Sequence, residues 1–177
     1  STTINDKPSA FRYPRGEGVG VKISDVPEIW KIGKGKIIKQ GSKICILSLG
    51  TRLADSLKAS DILASYGLST TVADARFAKP IDTELITKLA ATHEIMITVE
   101  EGSIGGFSAQ VMSFLTKEGL LDNNLKFRPL FFPDTFIPHG KPDIQNDICG
   151  ITTNQIIDCA LKVLGIPNQS KESRETA

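Results

Sequence analysis

The segment Thr98-Val99-Glu100-Glu101-Gly102-Ser103-Ile104-Gly105-Gly106 gathers residue types that could do chemistry at a single place in the chain. It leaves an apolar run and enters a helical pattern, the position where open α/β sheets place their ligands. Backbone amides at such a turn can cradle an anion, yet Glu100 and Glu101 would repel one. The other reading is architectural: the glycines permit the turn and close packing, while the acids complement a helix N-terminus or a neighbouring subunit. Arg12 and Arg15, in Phe11-Arg12-Tyr13-Pro14-Arg15-Gly16, are a second candidate. An arginine on a strand can present a planar, permanently charged fork to a phosphate, or it can simply lie on the surface.

The remaining inventory is thin. The two histidines, His93 and His139, lack ligand-spaced neighbours. His93 follows a helical pattern, where a cation suits the macrodipole, and His139 sits in a loop. The three cysteines, Cys45, Cys149 and Cys159, are too scattered for a zinc site or a disulfide framework. Cys45, inside Ile44-Cys45-Ile46-Leu47, reads as a small apolar core residue. Gly16, Gly18 and Gly20 have the wrong spacing for a dinucleotide fingerprint, and no helix follows them. G-x-S-x-G, H-E-x-x-H and Walker patterns are absent.

The elements that must position these residues form a repeating series. Lys36–Lys39 and Lys43–Leu49 flank Gln40-Gly41-Ser42 and read as a hairpin. Ile44–Leu49 is almost continuously apolar, as a strand covered on both faces requires. Gly50-Thr51 offers an N-cap to a helix over residues 52–66 that Gly67 closes, although its apolar stripe is untidy. A strand follows at Thr70–Ala73, and Asp82 can cap a helix carrying Leu85, Ile86 and Leu89 inward. Ile95–Val99 reads as another buried strand. Phe107, Val111, Phe114 and Leu115 then share a helical face with Glu118, and Gly119 supplies the stop. Phe127–Phe132 is the last strand. A long loop through Pro138-His139-Gly140 leads to a final helix with Ile156, Ile157, Ala160, Leu161 and Leu164 on its buried stripe.

Strands alternating with helices predict a three-layer α/β domain whose sheet is mostly parallel, with helices on both faces. The first 35 or so residues differ: short strand patterns around residues 10–13 and 19–23 have no helix to cover them. Residues 168–177 are polar and read as a frayed tail. Hydrophobic residues make up 40% and charged residues 23%, with a formal net charge of +1, so no global charge draws the chain to nucleic acid or anionic membrane. No apolar run approaches the roughly 20 residues that span a bilayer, and the first residues lack the pattern of a signal peptide. A reducing cytoplasm is the expected setting.

Five motifs occur in order: Phe11-Arg12-Tyr13-Pro14-Arg15-Gly16; Ile32-Gly33-Lys34-Gly35; Ala73-Asp74-Ala75-Arg76-Phe77 with Lys79-Pro80-Ile81-Asp82; Ile97 through Phe107; and Pro133-Asp134-Thr135-Phe136-Ile137-Pro138-His139-Gly140. From about Pro8 to Gly165 the chain resembles the C-terminal portion of 1-deoxy-D-xylulose-5-phosphate synthases. Transketolases and the β subunits of 2-oxo-acid dehydrogenases are similar in a looser Val-Glu-Glu segment and are the alternative relatives. A self-standing ligand-binding or interaction module built on the turn from Glu101 to Phe107 is a reading of another class.

The resemblance implies a transketolase C-terminal fold over residues 34–167, preceded in 1–33 by the tail of a pyrimidine-binding domain and a linker. It implies that the full enzyme is a homodimeric transferase using thiamine diphosphate and magnesium. That enzyme condenses pyruvate with glyceraldehyde 3-phosphate, with loss of CO2, for isoprenoid and thiamine biosynthesis. Arg12 matches the family arginine that contacts the substrate phosphate. The magnesium-diphosphate signature, the activating glutamate and the active-site histidines of the family are absent here and are expected upstream. The chain alone is therefore expected to hold no cofactor, metal or catalytic residue, to be inactive, and to serve the upstream domains and the dimer structurally.

Overall fold

The computed structural model describes residues 4–8, 13, 20, 25, 26 and 28–168. The chain divides into two units, residues 1–30 and 31–177. Among the described residues of the first unit none lies in a helix or strand. The strand patterns around residues 10–13 and 19–23 fall almost wholly outside the described residues, as do Arg12, Arg15 and the tail from residue 169.

The second unit is built on five strands: β1 (Lys36–Lys39), β2 (Ile44–Ser48), β3 (Thr70–Asp74), β4 (Ile95–Ser103) and β5 (Lys126–Phe132). Their order in the sheet is β1-β3-β2-β4-β5. The last four are mutually parallel, and β1 lies antiparallel to β3 on the edge. The helices are α1 (Leu53–Ser65), α2 (Thr83–Thr92), α3 (Phe107–Lys117), α4 (Pro142–Ile148) and α5 (Thr153–Leu164).

Strand pleating sends alternate residues of β2 and β4 into two cores. Ile44, Ile46, Ile95 and Ile97 meet Ala59 and Leu63 of α1 and Ile156, Ile157 and Ala160 of α5. On the other face Cys45, Leu47 and Met96 meet Ile86 and Leu89 of α2 and Val111 and Leu115 of α3. Both faces of the central strands are therefore dry, which is why β2 and β4 read as unbroken apolar runs. The three-layer, mostly parallel expectation holds.

The hairpin does not form. β1 and β2 are separated by β3, and the connection between them crosses the start of that strand. Gly41 N donates to Thr71 Oγ1 at 2.9 Å, and Lys43 N donates to Ser69 O at 2.9 Å. A Cβ at Gly41 would stand 2.6 Å from Thr71 N, so this crossing has room only for glycine. The glycine marks a close backbone passage rather than a tight turn.

Two further expectations are corrected. Gly50–Arg52 is a 3-10 turn and the helix begins at Leu53 with Arg52 as an N-cap lacking a side-chain bond, so Thr51 does not cap it. The stripe α1 buries is Ser56, Ala59, Ser60 and Leu63, and its two serines bond back to the carbonyls of Arg52 and Leu57. The long loop before the last helix also contains α4, whose one buried residue is Asn146.

Candidate functional site

β4 runs on through Ser103, beyond the expected end at Val99, and the turn that follows it is organised around a carboxylate of the strand itself. Glu100 is buried, 3% exposed, although it stands at the start of a polar run. Its Oε2 accepts from Phe107 N at 2.9 Å, and its Oε1 accepts from Ser108 N and Ser108 Oγ, both at 2.7 Å. These are the first amides of α3, so Glu100 reaches across the turn to cap the helix that follows and complements its positive end. A Cβ on Gly106 would stand 2.6 Å from Glu100 Oε2, and one on Gly102 would overlap the same oxygen. The two glycines let this carboxylate lie against the backbone. Gly105, at φ +89°, makes the bend between them.

The first two amides of α3 are therefore taken by Glu100, and of the two readings of this turn the geometry realises the architectural one at the helix start. The Glu100 carboxylate itself occupies the helix start, where an anion would otherwise meet those two amides. Glu101, the second acid, pairs with Arg52 Nη2 at 3.0 Å. Arg52 Nη1 donates to Asp55 Oδ2 at 2.9 Å, and Thr153 Oγ1 donates to Asp55 Oδ1 at 2.8 Å. One chain of polar contacts thus links the 3-10 turn before α1, the first turn of α1, the end of β4 and the start of α5. Sequence reasoning missed Arg52 and Asp55, since nothing local marks a pairing over 49 residues.

Asp82 forms a second knot at the carboxyl edge. It caps α2 through Leu85 N at 3.1 Å, accepts from Gly35 N at 3.0 Å, and lies 3.4 Å from Lys34 Nζ, which also reaches Glu84 at 2.6 Å. The motifs at 32–35 and 79–82 are thus two halves of one clasp. Between them lies Asp74, whose Oδ1 accepts from Arg76 N at 3.0 Å while Arg76 sits at φ +58°. Burial raises the Asp74 carboxyl above its ordinary value, opposed by the amide and charge of Arg76.

His93 ends α2 as expected, but it is buried and fully engaged. Its Nδ1 lies 3.0 Å from the carbonyl of Leu89, which can only accept, so Nδ1 carries a proton. In the neutral ring Nε2 then accepts from Thr71 Oγ1 at 2.7 Å, and that hydroxyl accepts from Gly41 N. The histidine therefore braces the β1–β2 crossing at the sheet edge opposite the Glu100 turn. His139 is exposed in the loop after β5. Cys45 and Cys149 are buried, Cys159 is half-buried, and burial pushes all three thiols up. Among the described residues no cluster of three or more His, Cys, Asp or Glu could hold a metal ion. No helix in the described residues is long and apolar enough to cross a membrane.

Residues 33–156 match the family model described as the transketolase C-terminal domain. The chain belongs to the transketolase C-terminal domain family. A solved split-gene transketolase, described as an inactive β4 tetramer, superposes with a TM-score of 0.70 at 28% identity over 82% of this chain. A transketolase variant from Pichia stipitis shares the fold at 15% identity, with a TM-score of 0.51 over 73% of this chain. The chain spans 48% of the split-gene chain and 18% of the Pichia chain. In this family member the conspicuous glycine-acid turn is a helix-capping device within the domain, and Arg12 lies outside the described residues.

Proposed function

We propose that this chain is the C-terminal portion of a 1-deoxy-D-xylulose-5-phosphate synthase, a thiamine-diphosphate-dependent transferase of the transketolase type. The observation that carries the reading is the wording of the β4–α3 turn, Glu-Glu-Gly-Ser-Ile-Gly-Gly-Phe, set in order among the four other motifs. Family membership supports the transketolase-type part of it. In this reading thiamine diphosphate and magnesium belong to upstream domains of a longer, cytoplasmic polypeptide. Those domains also supply the acid-base groups, and Arg12 binds the phosphate of glyceraldehyde 3-phosphate. The chain by itself is inactive, stabilises the enzyme and helps build its homodimer.

A second reading, the C-terminal part of a transketolase, is favoured by the 28% identity to the split-gene transketolase. The polypeptide encoded by the uninterrupted reading frame through Ser1 separates the two. A synthase releases CO2 from pyruvate as it joins the two-carbon remainder to glyceraldehyde 3-phosphate, whereas a transketolase moves a ketol unit between sugar phosphates without CO2. Arg12→Ala should then raise the KM for the aldehyde phosphate at least tenfold, since a bidentate charged contact is worth about 1.5–3 kcal/mol.

A further inference from the structure

We draw no further inference here: the strongest candidate, the shallow groove between α2 and α3 lined by Thr83, Thr87, Lys88 and Phe114, is walled by exposed side chains around one half-buried ring, with no buried polar group aimed into it, and nothing in the structure shows what would occupy it.

Discussion

Replacing Glu100 by glutamine keeps the shape of the side chain and removes the charge that organises the β4–α3 turn. The carboxylate accepts from Phe107 N, Ser108 N and Ser108 Oγ in a site almost closed to water. Glutamine offers one oxygen and one amide. If the oxygen faces Ser108, its two bonds persist in weaker, neutral form, while the amide confronts Phe107 N–H, donor against donor. Losing one charge-assisted bond costs about 1.5–3 kcal/mol. Removing the negative charge from the helix start adds about 0.3–1 kcal/mol. The expected total is ~2–4 kcal/mol, or a fall in Tm of about 5–15 °C for a chain of this size. Urea unfolding should report it as a lower midpoint with an unchanged slope.

Gly106→Ala supplies the companion measurement. Its Cβ would meet Glu100 Oε2 at 2.6 Å and Ser103 O at 3.0 Å. The first clash disappears in a Glu100→Ala background, so the alanine should cost at least about 1 kcal/mol less there than in wild type. A Glu100→Gln variant within about 0.5 kcal/mol of wild type would refute the capping argument. An identical cost of Gly106→Ala in both backgrounds would refute the claim that the glycine exists to admit the carboxylate.

Four other outcomes follow from the same geometry. Thr71→Val strands Gly41 N–H and His93 Nε2 together, which should cost ~1–3 kcal/mol and speed hydrogen exchange at the Gly41 amide. Asp82→Ala removes the cap of α2 and the acceptor of Gly35 N; a loss of about 2–3 kcal/mol in urea unfolding is expected. Thr98→Val should leave stability unchanged or raise it by about 1 kcal/mol, because Thr98 Oγ1 is buried without a hydrogen-bond partner. Asp74 carries a carboxyl raised by burial, so its favourable contribution is complete below the unfolded value near 3.8 and is lost as pH rises through the folded one. Asp74→Asn should therefore be more stable than wild type at neutral pH, with the difference vanishing in acid-range unfolding curves.

What could be read from the sequence was set by how local each signal is. β2 and β4 are covered on both faces, and every residue of Ile44–Ser48 is buried, so their apolar runs are unambiguous. Asp82 and Gly119 act within one helical turn and were equally plain. The β1–β2 hairpin failed because strand order is a long-range property: a short glycine-containing link looks alike whether it turns back or crosses a neighbouring strand. α4 escaped notice because it presents Ile144 and Ile148 to solvent and so shows no inward stripe. The role of Glu100 was visible only as one of two options, since a cap seven and eight residues ahead of its donors has no local motif.

The most direct test of the proposed identity is CO2 release from carboxyl-labelled pyruvate by the polypeptide of the full uninterrupted reading frame. The assay contains thiamine diphosphate and magnesium, with and without glyceraldehyde 3-phosphate, and runs beside the 177-residue chain. The account predicts release that depends on glyceraldehyde 3-phosphate in the longer polypeptide and none in the chain alone. Release by the chain alone, or ketol transfer between sugar phosphates without CO2 from the longer polypeptide, would contradict it.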